Sequence, residues 1–155
     1  MATNSYQRLL LSASVVLVTG TGATLAHAQA VNTFPTPTAN SQPFGITAGP
    51  DGALWYSEAS ANKIGRILPT GVTTNEFPTF TASAGPTGIT TGPDGNLWFA
   101  ELNVSKIGRI TPNGVMTEFP TFTAASGPEF ITTGPDGNLW FTEVNTRVWT
   151  HNLIQ

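Results

Sequence analysis

A four-residue phrase recurs along this chain as Gly49-Pro50-Asp51-Gly52, Gly92-Pro93-Asp94-Gly95 and Gly134-Pro135-Asp136-Gly137, at intervals of 43 and 42 residues. Each copy lies inside the same longer sentence, clearest between Thr90 and Pro120: TTGPDGNLWFAELNVSKIGRITPNGVMTEFP. A fixed period of this size marks a repeat architecture, because one such unit cannot bury its apolar face alone and must stack on copies of itself.

The letters inside one period are those of short strands and tight turns. Residues 88–91 are β-branched and bounded by Gly-Pro, and residues 96–101 are aromatic-rich and extended. Pro93 presets the second position of a type I turn between them. Residues 106–110 form a third strand, the turn Pro112-Asn113-Gly114 follows, and residues 115–119 form a fourth. Four antiparallel strands in roughly 42 residues make one propeller blade. No amphipathic 3.6-residue period supports a helical solenoid, and the Gly-His and Trp-Asp marks of WD40 repeats are missing. The expectation is an all-β chain, a β-propeller of four-stranded blades.

Composition agrees. Charged residues make up 10% of the 155, against roughly 25% in average soluble chains, while 16 glycines and 12 prolines serve the turns. A net charge of −3 with no basic cluster argues against nucleic acid as a partner. There is no cysteine, so packing rather than disulfides must hold the fold.

Residues 1–30 read as an export signal: Arg8, then the apolar run from Leu9 to Val18, then small-x-small cleavage frames ending at Ala28 or at Ala30. Either frame gives a periplasmic or secreted product. The competing reading, an uncleaved anchor, meets an apolar run short of the ~20 residues that span a bilayer. No membrane partner is therefore expected after cleavage.

The phrases Gln42-Pro43-Phe44-Gly45-Ile46-Thr47, Lys63-Ile64-Gly65-Arg66-Ile67 and the run from Gly134 to Glu143 closely resemble the repeats of the streptogramin B lyases, also called virginiamycin B lyases. The resemblance covers nearly all of residues 33–145. It implies a seven-bladed ring and a divalent metal, usually Mg²⁺. It also implies elimination across the ester of a cyclic depsipeptide antibiotic, which linearises the ligand without hydrolysis. Family members close the ring by joining their first strand to the last blade, and residues 32–37, which read like Glu118-Phe119-Pro120, suit that strand. On this pattern residues 31–143 form a partial propeller of about two and a half blades plus the ring-closing strand. Residues 144–155 depart from it as an aberrant or truncated tail, with residues 148–150 a makeshift third strand at most. About four blades of the family's seven are not represented.

In the lyases the functional side chains enter the central cavity at the x of Pro-x-Gly-Ile-Thr. That column holds Phe44, Thr87 and Glu129. Phe44 can only pack, where relatives can carry a tyrosine; Thr87 is neutral; Glu129 is either a rim carboxylate or a lone contact to a cation, and one carboxylate is a poor metal site. Histidine suits proton transfer near neutrality because its unperturbed pKa is about 6.5. The only histidines are His27, in the signal, and His151, in the tail. No catalytic residue and no metal site is assigned.

Positions that recur in every blade read as structural. Glu58, Glu101 and Glu143, each three residues after a tryptophan, are expected to hydrogen-bond or to ion-pair with Lys63 or Lys106 on the adjoining strand. Asp51, Asp94 and Asp136 are turn residues. Trp55, Trp98 and Trp140 are expected to pack between blades rather than stack a ligand. The functional expectation is an exported lyase-like propeller chain, inactive by itself. The alternatives are a binding or assembly module that self-associates through open blade faces, a non-functional fragment, or a lactonase-like propeller whose metal-binding residues are not identified.

Overall fold

The computed structural model describes residues 31–146, and residues 148–152 as backbone. The expected signal segment and its two cleavage frames lie outside the described residues. The chain divides into a unit of residues 1–33 and a unit of residues 34–155, and every strand belongs to the second.

The described residues contain strands and turns and no helix. The first blade comprises β1 (Pro43–Ala48), β2 (Leu54–Glu58), β3 (Lys63–Ile67) and β4 (Thr73–Pro78). The second repeats it as β5 (Pro86–Thr91), β6 (Leu97–Glu101), β7 (Lys106–Ile110) and β8 (Met116–Pro120). The third contributes β9 (Pro128–Thr133), β10 (Leu139–Glu143) and β11 (Val148–Asn152). Each blade is an antiparallel meander with its strands in chain order. The three first strands lie side by side, β1 against β5 and β5 against β9, so the inner edges of the blades share one axis. The sheets do not close into a ring.

The third strand of blade three is longer than the makeshift segment expected from sequence. Leu139 pairs with Asn152, Phe141 with Thr150 and Glu143 with Val148, the register in which Leu97, Phe99 and Glu101 pair with Ile110, Gly108 and Lys106. The tail departs from the repeat in its letters but not in its spacing. A ladder made of backbone groups needs only the spacing.

Residues 32–37, expected as a ring-closing strand, form no strand. A fourth strand takes its ladder from a third strand of the same sheet, and none flanks this segment. One side chain of the segment nevertheless takes the blade position. The Phe34 ring lies against Gly71, where any Cβ would collide with it, as the Phe77 ring of blade one lies against Gly114 of blade two.

Alternation along the second strands assigns each blade two working faces. In blade two, Leu97 and Phe99 turn toward blade one and join Ala53, Trp55, Ile64, Ile89, Ile110 and Met116, with Leu68 and Phe77 at the margin. Trp98 and Ala100 turn the other way and pack with Ile107, Ile131, Leu139 and Phe141 of blades two and three. Gly108 sits where the Phe99 ring crosses β7, leaving no space for a side chain.

Hydroxyls join the inner strands. Thr91 Oγ1 donates to the Ala48 carbonyl, Thr133 Oγ1 donates to the Thr91 carbonyl at 2.8 Å, and Ser57 Oγ donates to the Thr87 carbonyl. Further out, Glu118 Oε1 accepts from the Thr81 N–H (2.8 Å), and its Oε2 accepts from Thr81 Oγ1 (2.6 Å) and Lys106 Nζ (2.7 Å). Thr38, Glu76 and Lys63 make the same latch in blade one.

Candidate functional site

Inner strands approach one another closely because their shared column carries glycine. A Cβ on Gly45 would stand 2.8 Å from the Thr87 carbonyl and 3.2 Å from Ile89 N. That approach places Phe44 and Thr87 on one cavity of 440 Å³ between blades one and two, rimmed by Gln42, Ser60, Asn62 and Asn103. Thr87 is 3% exposed, and its hydroxyl donates to the Glu129 carbonyl at 2.8 Å, so its one proton is engaged by the backbone. Phe44 is 45% exposed and meets Phe130 of blade three with ring centroids 5.9 Å apart. Glu129 is half-buried and does not line this cavity. Of the three column residues, then, the structure brings two together.

A second cavity, 320 Å³ and almost wholly apolar, opens on the face of blade one turned away from blade two. Phe34, Ile46, Leu54, Tyr56 and Ile67 line it. These positions correspond to Phe77, Ile89, Leu97, Phe99 and Ile110 of the packed joint between blades one and two.

Glu58, Glu101 and Glu143 are buried to within 1% of completely. The expected pairing of Glu58 with Lys63 and of Glu101 with Lys106 is corrected by the structure. Although these residues face each other across the ladder, Lys63 bridges to Glu76 at 2.8 Å and Lys106 to Glu118 at 2.7 Å. An ion pair forms where the carboxylate is already ionised, and the fourth-strand glutamates have the threonine donors that make them so. For Glu118, burial alone would raise the pKa; the bonds from Lys106 and Thr81 outweigh it and hold the group below the usual range. Burial instead pushes Glu101 up to about 8, with the Glu118 charge adding to the rise and Lys106 opposing it. Glu58 is also raised, chiefly by burial. The Ser41 hydroxyl beside it offsets part of the rise, although neither carboxylate oxygen completes a hydrogen bond of good geometry.

The turn aspartates do more than turn the chain. Asp51 accepts from the Trp55 indole N–H (3.1 Å) and from Arg66 Nε (2.7 Å). Asp94 accepts from Trp98 Nε1 (2.9 Å) and Asp136 from Trp140 Nε1 (3.1 Å). Arg109 lies over the Trp98 ring at 5.6 Å, and Trp98 stacks on Phe119 at 5.4 Å. Each tryptophan is fixed by the turn four residues before it. Trp55 sits in the core between blades one and two and Trp98 in that between blades two and three, whereas Trp140 is half-buried. The fixed Asp-to-Trp interval in all three repeats is the sequence signal for this fastening.

The divalent metal implied by the resemblance has no ligand set here: among the described residues no three His, Cys, Asp or Glu side chains gather where an ion would fit.

Residues 16–148 match the Virginiamycin B lyase family. A selenomethionine-substituted virginiamycin B lyase from Staphylococcus aureus is 41% identical, with a TM-score of 0.70 over 79% of this chain and 44% of that one. A catalytically inactive variant of the Staphylococcus aureus enzyme, solved with quinupristin, matches with the same identity, coverage and TM-score. A gluconolactonase from Xanthomonas campestris, 19% identical, covers 65% of this chain and 34% of that one with a TM-score of 0.55, and shares the fold alone. The chain thus spans less than half the length of the lyases it matches. Its repeat, its blade register and these similarities together establish that the chain belongs to the virginiamycin B lyase family.

Proposed function

We propose that this chain supplies part of an exported propeller that takes a streptogramin B-type cyclic depsipeptide at the mouth of its inner strands and linearises it by elimination. The observation that carries this reading is the 41% identity to an enzyme solved with quinupristin. The role of the described residues is to build and orient. Phe44 offers an apolar wall, Thr87 spends its hydroxyl fastening β5 to β9, and the polar rim from Gln42 to Asn103 can accept or donate to amides of a cyclic peptide.

No histidine stands between residues 31 and 146, and the missing general base alone costs around 10²–10⁴-fold in rate. The 155-residue chain is therefore inactive alone, and the acid–base and metal chemistry implied by the family requires blades from outside it. The test is incubation of quinupristin with the purified chain, and separately with this chain fused to the late blades of the Staphylococcus aureus enzyme, followed by mass spectrometry and chromatography. Linear product from the fusion and none from the chain supports the reading. Linear product from the chain alone overturns the claim of inactivity, and a correctly folded fusion that leaves the antibiotic cyclic overturns the assignment of ligand.

A second reading, a module that self-associates through its blade faces, is favoured by the apolar cavity on blade one, whose positions match those buried inside the first joint. Light scattering that shows a monomer at micromolar concentration removes it.

A further inference from the structure

The three repeats are not equivalent around their buried glutamates. Ser41 and Ser126 hold corresponding places in blades one and three, and the same place in blade two is Ala84. All three are buried. Ser41 lies beside Glu58, and the loop after each second strand closes on all three positions: the N–H groups of Ser60, Asn103 and Asn145 donate to the carbonyls of Ser41, Ala84 and Ser126 at 3.0, 3.1 and 3.1 Å. The serines also extend hydroxyl chains, Thr36 with Ser41 and Thr121 with Ser126, both at 2.9 Å. Blade two has no such chain, and its Thr79 hydroxyl makes only the backbone-carbonyl bonds that Thr121 also makes. Blade three adds a donor, Thr146 Oγ1 to Glu143 Oε2 at 3.3 Å, where blade two has Val104. Glu101 and Glu58 are both fully buried with neither carboxyl oxygen completing a hydrogen bond of good geometry, but Glu58 has the Ser41 hydroxyl beside it to offset part of its pKa rise and Glu101 has none.

We propose that Glu101 forms a proton-dependent joint in the middle blade, held shut by the neutral acid and opened with release of its proton, because Ala84 withholds the hydroxyl present in the other two blades. The charged groups facing Glu101 are Glu118 on β8, which opposes ionisation, and Lys106 on β7, which favours it. Lys106 is already engaged by Glu118 and by Thr81 Oγ1, both at 2.7 Å. Burial adds to the Glu118 effect, so the proton is held into the alkaline range. The joint matters for the cavity described above. Leu102 and Asn103, immediately after Glu101, line it, and their N–H groups bond Gly85 and Ala84 across its floor.

The sign follows from linkage. The closed state binds the proton more tightly than the open one, so closure is favoured as pH falls. Opening grows by up to tenfold per pH unit between the ordinary glutamate range and about 8, then levels off.

The test uses the full chain labelled with ¹³C at glutamate carboxyls. Glu101→Gln assigns its resonance and supplies a reference that cannot ionise. The expected results are a Glu101 midpoint near 8, a midpoint lowered by a unit or more in Ala84→Ser, and amide exchange at Leu102 and Asn103 that quickens relative to Glu101→Gln between pH 5 and 8. The ratio to Glu101→Gln cancels intrinsic base-catalysed exchange. A midpoint near 4.5 in the unmodified chain overturns the proposal. So does an unmoved midpoint in Ala84→Ser, or an exchange ratio that stays flat with pH.

Discussion

Trp98→Phe isolates the fastening of a blade core to its turn. The phenyl ring keeps the stack on Phe119, 5.4 Å away, and loses the indole N–H that reaches Asp94 Oδ1 at 2.9 Å. A hydrogen bond to a charged group contributes about 1.5–3 kcal/mol. Asp94 keeps Asn96 N at 3.1 Å and Asn96 Nδ2 at 2.7 Å, and its side chain is 35% exposed. Water can thus replace the lost donor, and the bond is discounted to about 1 kcal/mol. Trp98 is only 2% exposed, so the missing part of the indole leaves a gap worth about another 1 kcal/mol. The sum, about 2 kcal/mol, should lower the midpoint of denaturant unfolding at pH 7 without changing its slope.

Acid provides the internal control. Burial alone would raise the Asp94 carboxyl, but the bonds from Asn96 and Trp98 and the charge of Arg109 hold it below its ordinary value. A depressed carboxylate contributes stability above its unfolded pKa and loses it as pH falls through the folded pKa. The substitution should therefore cost less at pH 2.5 than at pH 7. Equal costs at the two pH values would refute the carboxylate's part in the argument and leave only the packing loss. Trp55→Phe should be milder, because Asp51 also holds Arg66 Nε at 2.7 Å, against 3.9 Å for the Arg109–Asp94 pair.

Two further substitutions probe other contacts. Gly108→Ala would drive a methyl into the Phe99 ring and should cost about 1–3 kcal/mol by overpacking, read as a lowered melting temperature. Thr81→Val removes a hydroxyl that donates to Glu118 and accepts from Lys106; a loss of about 1–2 kcal/mol at pH 7 is expected, shrinking as pH falls below the ordinary glutamate range and Glu118 protonates, and limited proteolysis should cut the 79–85 linker sooner.

Much of this architecture was legible in the sequence because turn chemistry and alternation are local. The third strand read at residues 106–110 is β7 itself, and the family resemblance holds. The contacts that escaped are those between strands that are not neighbours. Lys106 stands opposite Glu101 in the ladder, yet its ammonium goes to Glu118, and nothing local says which glutamate is ionised. The Asp94–Trp98 bond crosses from a turn into a core and was read as two separate roles. In blade three the letters of the tail suggested only a makeshift strand at residues 148–150, and the strand runs on to Asn152 because backbone register does not depend on which side chains it carries. At residues 32–37 the reverse held. The Phe-Pro letters suited a strand, and the ladder that would have made one was not beside them.

The threonine bridges between inner strands carry a direction. At the outer ends of these strands each passes from a later blade to the carbonyl of the one before it, Thr91 to Ala48 and Thr133 to Thr91, against the Thr87 bridge that runs forward to Glu129. Ala48 brings no hydroxyl, and no described blade stands upstream to receive one. The blades are therefore not interchangeable links. Moved to an interior position, blade one could accept from its successor but would leave its predecessor's carbonyl unanswered, so reordering these blades would need an Ala48→Thr change to restore the stitch.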